Sequence, residues 1–395
     1  MRHLFVTQDY GPDLGGIARR HVELCRRFAP DEVIVSTVGS NTAEAFDRSE
    51  PYAIVREAFP FVEAKRFLNQ VRWSQSLVRQ GQRGVGVVHL GNVRPCGYAV
   101  WMAVRRLHVP YVAYVYGGDV LRELRKTGAS ALKRATARSI LGGASGIVAI
   151  SDWTAGLTRQ LMDAIGLDTP PPVATVTLGT DPVQFRPDND RRQLRARWGV
   201  GDDPLLLTVA RLVPHKGQDV TIRALARLRP AFPSLRYVVV GGGDDEARLR
   251  AVAQAEGVAD RVTFAGTLSD DEIAEAYATA TIYVGLSRVH NEINAEGFGL
   301  AFVEAGASGV PSVAGDSGGV RAAVRDGETG IVVDPEDLDH VVSALHGLLA
   351  DPERRLAMGA AARRAVETNF NWDRVARETL GFVREVTGEA RRVPA

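Results

Sequence analysis

Two cationic side chains five positions apart are the first candidates for a ligand-binding site in this sequence. Arg211 and Lys216 lie in the stretch Arg-Leu-Val-Pro-His-Lys-Gly, which follows the apolar run 205–210. A guanidinium offers a planar fork of donors and an ammonium offers a point charge, so the two together suit a diphosphate. A basic surface loop is the alternative. The position of the pair directly after a predicted strand favours the ligand-binding interpretation.

Two glutamates enclose a glycine turn further along the chain. Glu296 precedes Gly297-Phe298-Gly299, and Glu304 comes eight residues after Glu296, inside a predicted helix. A carboxylate accepts two hydrogen bonds from a vicinal diol, so each glutamate can hold one sugar ring. The alternative, an exposed glutamate and a glutamate on a helix face, leaves Glu304 poorly explained among its apolar neighbours. Two cations for a diphosphate and two carboxylates for two diols describe a nucleotide-sugar site.

Two glycine-bearing loops in the first half of the chain also follow predicted strands. Gly15 and Gly16 open a helix after the first strand, and the free N–H groups of such a helix suit a phosphate. Their spacing is not the dinucleotide fingerprint, so a tight packing turn is an equal alternative. The second loop, Tyr116-Gly117-Gly118-Asp119, places at a strand end a carboxylate that can orient or polarise a hydroxyl group.

Short β-branched runs alternate with helical patterns and must position these residues. The predicted strands are 3–7, 32–37, 85–90, 111–116 and 146–150 in the first half, and 205–210, 237–240, 262–264, 282–284, 311–314 and 330–333 in the second. This alternation predicts an α/β fold of two doubly wound Rossmann-like domains, with helices on both faces of each parallel sheet. Ligands of such sheets bind beyond the carboxyl ends of the strands, and we expect the two domains to face each other across a cleft.

A segment rich in glycine, proline and aspartate interrupts the alternation at 178–203, with the linker expected near 185–190. The sequence therefore predicts an N-terminal domain over 1–186 that binds the acceptor and a C-terminal domain over 187–370 that binds the donor. The last segment, 371–391, has apolar residues along one face and predicts a long amphipathic helix.

The composition excludes several classes of protein. The 395 residues are 45% hydrophobic and 24% charged, as in globular proteins, and 48 basic against 47 acidic residues disfavour a general nucleic-acid binder. Two cysteines make neither a disulfide framework nor a four-cysteine zinc site, so a reducing cytoplasm is expected. The eight histidines are scattered, so no metal site is expected, and no apolar run reaches the roughly 18 residues of a membrane span.

Taken together, these stretches resemble the family-4 retaining glycosyltransferases of the GT-B fold. The resemblance covers nearly the whole chain and is strongest over 296–304, followed by 210–217 and the Gly15-Gly16 loop. It implies a hexosyltransferase that moves a hexosyl group from a UDP- or GDP-sugar to a hydroxyl acceptor, without a metal or another cofactor. The implied acceptor is a glycan, a glycolipid or a small polyol.

The resemblance also implies roles for individual residues. Arg211 and Lys216 would hold the donor diphosphate, Glu296 would contact the donor-sugar hydroxyls and Glu304 would hold the ribose. The full implied set adds the backbone of Thr263 and Phe264 near the base, Gly16 at the distal phosphate, Gly15, Tyr116, Gly117, Phe298, Gly299 and Leu300 around the donor, and Asp119 beside the reacting groups. The last helix of the family usually crosses back onto the first domain, so 371–391 is expected to pack there.

One position departs from the family pattern. Many members carry a histidine where this chain has Tyr116, directly before Gly117-Gly118-Asp119. A tyrosine, with a pKa of about 10, is a poor base near neutrality. We therefore expect a same-face mechanism in which the leaving diphosphate helps to deprotonate the acceptor and Asp119 orients groups nearby.

Several alternatives stay open at the level of sequence. A nucleotide-sugar 2-epimerase has the same two-domain design, and a soluble transferase acting on an aminocyclitol-type natural product is the alternative within the class. The segment Lys65–Arg79 mixes cations with apolar residues and has three interpretations: a helix on an anionic membrane, a cover over the acceptor cleft, or an ordinary surface helix. The expected location is cytoplasmic, with peripheral contact to the inner face of the membrane, as a monomer or homodimer.

Overall fold

The computed structural model describes residues 1–12, 15–289 and 295–388, which form two compact units. Unit 1 comprises Met1–Thr177 and the chain from Trp372 onward, and unit 2 comprises Leu178–Asn371. Each unit is built on an all-parallel sheet with intervening helices, so the predicted fold class is confirmed.

Unit 1 holds a seven-stranded parallel sheet. Its strands are β1 (Arg2–Val6), β2 (Val33–Gly39), β3 (Ala53–Pro60), β4 (Val85–Leu90), β5 (Tyr111–Val115), β6 (Gly146–Ala149) and β7 (Val173–Thr175). Its helices are α1 (Gly16–Cys25), α2 (Glu44–Ser49), α3 (Phe67–Gly81), α4 (Cys96–Leu107), α5 (Gly118–Ala129), α6 (Ala131–Gly142) and α7 (Asp152–Ala164). The strand order is β3-β2-β1-β4-β5-β6-β7, so the order reverses between β1 and β4.

Unit 2 holds a six-stranded parallel sheet. Its strands are β8 (Leu205–Val209), β9 (Arg236–Val240), β10 (Val262–Gly266), β11 (Ile282–Gly285), β12 (Ser312–Gly315) and β13 (Gly330–Val333). Its helices are α8 (Gln193–Arg197), α9 (Gln218–Leu228), α10 (Glu246–Ala255), α11 (Asp270–Ala278), α12 (Leu300–Ala307), α13 (Leu338–Ala350) and α14 (Pro352–Asn369). The strand order is β10-β9-β8-β11-β12-β13, with the reversal between β8 and β11.

Two strands of unit 1 were not predicted, and both lie at an edge of the sheet. β3 is half-exposed along most of its length and carries Arg56 and Glu57 in its middle. β7 has three residues, none of them buried. Central strands of a parallel sheet are covered on both faces and give continuous apolar runs, whereas edge strands need not. The apolar pattern therefore revealed the centre of the sheet and missed its edges.

The division between the units lies before the boundary predicted at 186, because the segment after Leu178 packs on unit 2. Phe185 is 1% exposed and its ring lies 5.7 Å from that of Tyr277. The guanidinium of Arg363 donates to the carbonyl oxygens of Pro182 and Phe185. Turn-forming residues gave this segment the composition of a linker, but its contacts make it part of unit 2.

The final helix, α15 (Trp372–Thr387), is part of unit 1. Arg27 on α1 donates to Asp373 at 2.7 Å, and Nη2 of Arg374 donates to the carbonyl oxygen of Thr177 at 2.7 Å. Phe382 lies against Gly146 of β6, where a larger residue would collide with the ring. Residues 389–391 of the predicted helix lie outside the described residues.

Candidate active site

The loops that follow β8 and β11 leave the sheet of unit 2 at the point where its strand order reverses. β8 pairs with β9 on one side and with β11 on the other. In open parallel sheets, this switch point is where ligands bind. The loop after β8 carries Arg211 and Lys216, and the loop after β11 leads to Glu296.

Lys216 and Glu296 form an ion pair between these two loops. Nζ of Lys216 lies 2.5 Å from Oε2 of Glu296, and Oγ of Ser287 donates to the same oxygen at 3.2 Å. The two charged side chains are 21% and 18% exposed, so the pair is largely shielded from solvent but still reachable. The structure thus brings together one cation and one carboxylate of the predicted set.

The cation decides the ionisation of Glu296. Burial alone would raise the pKa of this carboxyl group, but the charge and hydrogen bond of Lys216 and the hydroxyl of Ser287 outweigh it, so its pKa lies below the ordinary value. Glu296 is therefore an anion at neutral pH. It can accept hydrogen bonds from hydroxyl groups but cannot serve as an acid there.

Two glycines allow the loops to approach so closely. Gly217 has a φ of +71°, and a Cβ at this position would collide with the carbonyl oxygen of Leu286. Gly318 has a φ of +60°, and a Cβ there would collide with the carbonyl oxygen of Glu296. The backbone N–H of Gly319 donates to that same oxygen at 2.7 Å. Larger residues at these positions would displace the two members of the ion pair.

Arg211 differs from Lys216 in its surroundings. Its side chain is exposed and makes no hydrogen bond or ion pair with any residue in the described ranges. Its backbone carbonyl accepts from Nε2 of Gln218 at 3.1 Å, which fixes the start of the loop. The convergence of Arg211 and Lys216 on a diphosphate therefore stays a prediction.

Glu304 is a buried carboxylate in α12. It is 8% exposed, and the hydroxyl of Tyr277 donates to its Oε2 at 2.8 Å. One of the two oxygens is thus engaged by a residue of α11 that the sequence did not single out. The predicted ribose contact stays a prediction.

The other predicted residues of unit 2 lie on two elements. Gly299 has a φ of +102° and precedes α12, which begins at Leu300, while the Phe298 side chain is buried. Thr263 and Phe264 lie in β10, at the edge of the sheet, where the guanidinium of Arg250 covers the Phe264 ring at 4.4 Å. The contact of these residues with a donor stays a prediction.

The predicted glycine loop of unit 1 opens α1. Gly15 precedes this helix and Gly16 is its first residue, and both are exposed. Among the described residues, no side chain caps the helix, and a Cβ at Gly15 would meet no atom within 4 Å. The predicted phosphate contact of this loop stays a prediction.

Tyr116 follows β5, and its hydroxyl is bound by a buried histidine. The phenol contacts Nε2 of His21, whose Nδ1 lies 3.0 Å from the carbonyl oxygen of Asp9. A carbonyl can only accept, so Nδ1 carries the proton and Nε2 accepts from the Tyr116 hydroxyl. Burial lowers the pKa of His21 to about 3. The imidazole is therefore neutral near pH 7, and Tyr116 presents the lone pairs of its oxygen rather than its proton.

Asp119 caps its own loop. Its Oδ1 accepts from the backbone N–H of Tyr116 at 2.9 Å and from that of Val120 at 3.0 Å. Gly117 between them has a φ of +91°, which the turn requires. Oδ2 is buried and has no hydrogen-bond partner among the described residues, and burial raises the pKa of this carboxyl group. Its catalytic role stays a prediction.

Three residues of these sites were missed by the sequence interpretation: Ser287, Tyr277 and His21. Tyr277 and His21 contact predicted residues of other elements, and Ser287 contacts Glu296 from the start of the same loop. The sequence around each of the three contains no signal for its contact. Within the described ranges, no group of three or more histidine, cysteine or acidic side chains is placed to hold a metal ion. No described helix is long and apolar enough to cross a bilayer.

Two family models match the chain. The model for glycosyl transferases group 1 matches residues 190–365, and the model for glycosyltransferase family 4 matches residues 14–166. The first match covers most of unit 2 and the second covers most of unit 1.

Two relatives carry names that refer to inositol-containing compounds. A GDP-mannose-dependent alpha-(1-6)-phosphatidylinositol monomannoside mannosyltransferase of Mycobacterium tuberculosis is 32% identical over 392 residues, covering 97% of this chain and 98% of the relative. A D-inositol 3-phosphate glycosyltransferase of Thermomonospora curvata is 36% identical over 296 residues, covering 70% of this chain and 66% of the relative.

Solved structures show the same fold. Anabaena HepE in complex with UDP matches with a TM-score of 0.81 at 19% identity, covering 98% of this chain and 100% of that chain. Sucrose-phosphate synthase from Thermosynechococcus elongatus matches with a TM-score of 0.78 at 22% identity, covering 98% of this chain and 99% of that chain. At such identities the likeness concerns the fold, which is GT-B.

Proposed function

Since this chain belongs to the family-4 glycosyltransferases, we propose that it is a retaining, metal-independent hexosyltransferase that uses a nucleoside diphosphate sugar. The observation that carries the proposal is the Lys216–Glu296 ion pair at the switch point of unit 2. This pair offers a cation for the diphosphate and an ionised carboxylate for sugar hydroxyls. Unit 2 binds the donor, and unit 1 binds the acceptor.

The reaction needs charge stabilisation more than proton transfer by the protein. The bond between the anomeric carbon and the diphosphate oxygen breaks, and a bond from the same carbon to the acceptor oxygen forms on the same face of the sugar. The acceptor proton passes to the departing diphosphate oxygen. Lys216 and Arg211 stabilise the negative charge that grows on the leaving group, where fixed cations act most strongly.

Tyr116 supports this route. Its hydroxyl proton is committed to His21, and burial keeps the imidazole neutral, so this pair is a poor base at neutral pH. The phenolic oxygen can still accept a hydrogen bond from a sugar hydroxyl. Asp119 lies at the end of the same turn, in the first turn of α5, and its carboxylate accepts from the backbone N–H of Tyr116.

For the substrates, the relatives supply the most specific indication. We propose GDP-mannose as the first donor to test, with UDP-glucose second, and a polyol or lipid-linked inositol as the acceptor class. The names of the relatives support this choice, since they act on phosphatidylinositol mannosides and inositol 3-phosphate. A soluble transferase for an aminocyclitol-type product is the alternative.

An exposed apolar surface on unit 1 supports a lipid-linked acceptor. Phe61, Val62, Phe67 and Leu68 are 53–75% exposed, and the cations Lys65 and Arg66 lie between them. We call these six residues the 61–68 surface. Further along α3, Trp73 and Leu77 face the core. We propose that the 61–68 surface rests on an anionic membrane.

A donor screen tests the proposed function. The protein is incubated with GDP-mannose, UDP-glucose and an ADP-sugar, each with and without inositol or phosphatidylinositol acceptors. We expect release of one nucleoside diphosphate, protection of the protein against thermal unfolding by that nucleotide, and a product whose anomeric configuration matches the donor. Inverted configuration, or a requirement for a divalent metal, would contradict the mechanism. Epimerised donor sugar without acceptor would contradict the transferase assignment.

A further inference from the structure

Arg288 connects the loop after β11 to the turn that carries Lys216. It follows Ser287 in the loop after β11, and its side chain is 19% exposed. Its Nη2 donates to Oδ1 and Oδ2 of Asp219 at 3.1 and 3.2 Å and to the carbonyl oxygen of Pro214 at 3.1 Å. Its backbone N–H donates to the carbonyl oxygen of His215 at 2.9 Å.

Asp219 is the anchor of this arrangement. It is 3% exposed and lies in the first turn of α9, where a carboxylate is favoured by the helix dipole. Arg223 and Arg248 also reach its Oδ2, at 3.3 and 3.6 Å. In the described part of the chain, the guanidinium of Arg288 also binds the 214–216 turn, whereas those of Arg223 and Arg248 do not.

These contacts determine where Lys216 leaves the backbone. Pro214 and His215 are the first two residues of the 3₁₀ turn that ends at Lys216. Fixing both of their carbonyl groups fixes the peptide planes directly before Lys216. Ser287 meanwhile donates to Glu296. Two consecutive residues after β11 therefore hold both members of the ion pair, one through the backbone of the cation and the other through the carboxylate.

We propose that Arg288 is a positioning residue, which holds the 214–216 turn so that Lys216 meets the charge developing on the donor diphosphate. The inference rests on the proposed donor role of Lys216. All three side-chain contacts come from Nη2, whose two N–H groups keep fixed directions in the guanidinium plane, whereas the N–H groups of an ammonium rotate about its stem. Misplacing a catalytic group by about 1 Å can cost roughly a hundredfold in rate.

The first experiment compares Arg288→Gln and Arg288→Lys with the matched control Arg223→Ala. Arg223 contacts the same carboxylate, and Glu256 at 3.7 Å, but not the turn, so its loss removes a cation from Asp219 and leaves the turn contact in place. The measurements are calorimetric Kd values for GDP and UDP, kcat with GDP-mannose or the donor found in the screen, and the melting temperature. We expect Arg288→Gln to lower kcat at least tenfold and to weaken nucleoside diphosphate binding. Arg288→Lys should recover part of the kcat and of the nucleotide affinity that Arg288→Gln loses. Arg223→Ala should keep kcat and the nucleotide Kd within twofold of wild type.

A double-mutant cycle separates positioning from general stabilisation. If Arg288 acts through Lys216, the Lys216→Ala/Arg288→Gln variant should bind GDP or UDP as weakly as Lys216→Ala alone. Additive losses, or equal losses for Arg223→Ala and Arg288→Gln, would overturn the inference. If Arg288→Gln does not fold, the cycle is run with Arg288→Lys, which keeps a cation beside Asp219.

The cycle also distinguishes failure of this inference from failure of the proposed function. Unchanged nucleotide binding and turnover in Lys216→Ala would contradict the proposed donor role of Lys216. If Lys216→Ala loses turnover while Arg288→Gln keeps the wild-type kcat and nucleotide Kd, only the positioning role of Arg288 is contradicted.

Discussion

Nζ of Lys216 lies 2.5 Å from Oε2 of Glu296, although eighty positions separate the two residues in the sequence. They meet because β8 and β11 are neighbours in the sheet of unit 2 and their following loops leave the same edge. Neither loop contains both charges. The candidate donor site is therefore a product of strand order.

Removing the ammonium of Lys216 should affect catalysis more than folding. We expect Lys216→Ala to lower kcat about a hundredfold, since loss of one preorganised group that stabilises transition-state charge costs roughly 3 kcal/mol. Steady-state turnover with the active donor is the measurement. Lys126→Ala is the matched control, because Lys126 forms an ion pair with Glu123 in unit 1. Full turnover in Lys216→Ala would refute the assignment.

Glu304 and Tyr277 allow stability and ligand binding to be separated. We expect Glu304→Ala to weaken binding of GDP or UDP, because the variant loses an acceptor for the ribose hydroxyls. Tyr277→Phe removes the donor to Oε2 of Glu304 and should lower the free energy of unfolding by about 1–3 kcal/mol. Calorimetry and urea unfolding measure the two effects. Equal nucleotide affinity in wild type and Glu304→Ala would count against the ribose role.

The hydrogen bond between Tyr116 and His21 predicts the shape of a pH profile. Since burial lowers the pKa of His21 to about 3, the pair does not titrate between pH 5.5 and 8.5. We expect Tyr116→Phe to lower kcat/KM by a constant factor over this range, with a curve parallel to that of wild type. A limb near pH 6.5 that disappears in the variant would show that the pair does act as a base.

Buried histidines make unit 1 sensitive to acid. Burial, with the charges of the N-terminus and Arg384, lowers the pKa of His3 to about 4, and its Nδ1 lies 2.9 Å from Nε2 of His89. The unfolded imidazole binds a proton below about pH 6.5 and the folded one does not until about pH 4, so stability is lost as the pH falls through this window.

The His3 contribution can be isolated with one variant. When the pH falls from 7.5 to 4.5, His3 takes up a proton in the unfolded protein but largely not in the folded one. This difference should lower the free energy of unfolding of wild type by about 2–3 kcal/mol. Over the same interval, the free energy of unfolding of His3→Leu should fall by about 2–3 kcal/mol less than that of wild type. Urea unfolding at the two pH values measures both losses. The comparison cancels the opposite effect of buried acids such as Asp119, whose pKa is raised. Parallel losses in the two proteins would contradict the burial argument.

The 61–68 surface predicts binding to anionic vesicles. Phe67→Ser/Leu68→Ser should reduce flotation with phosphatidylglycerol vesicles at least tenfold, because fully burying one large apolar side chain contributes about 1.5–3 kcal/mol. Neutral phosphatidylcholine vesicles should bind wild type weakly. Leu132→Ser is the control, since Leu132 is 72% exposed on α6. Absence of flotation with dimer formation in solution would indicate that a second copy covers the surface instead.

The sequence alone determined the fold class and the residue types at the candidate donor site. Continuous apolar runs marked the central strands because both faces of a parallel sheet are buried, and turns after these runs marked the loops that carry Lys216, Glu296 and Asp119. The edge strand β3 was not predicted because its largely exposed residues follow no apolar pattern. The boundary predicted at 186 was misplaced because burial of Phe185 is not visible in local composition.

Tertiary structure alone decided which partner each charge receives. Arg211 and Lys216 are neighbours in one loop of the sequence, but only the fold gave Lys216 a carboxylate and left Arg211 exposed. It also joined Tyr116 to His21 and Arg288 to Asp219. Hydrogen bonds and ion pairs act over a few ångströms, so their partners are set by the pairing of distant segments, whereas apolar periodicity reports burial within a single segment.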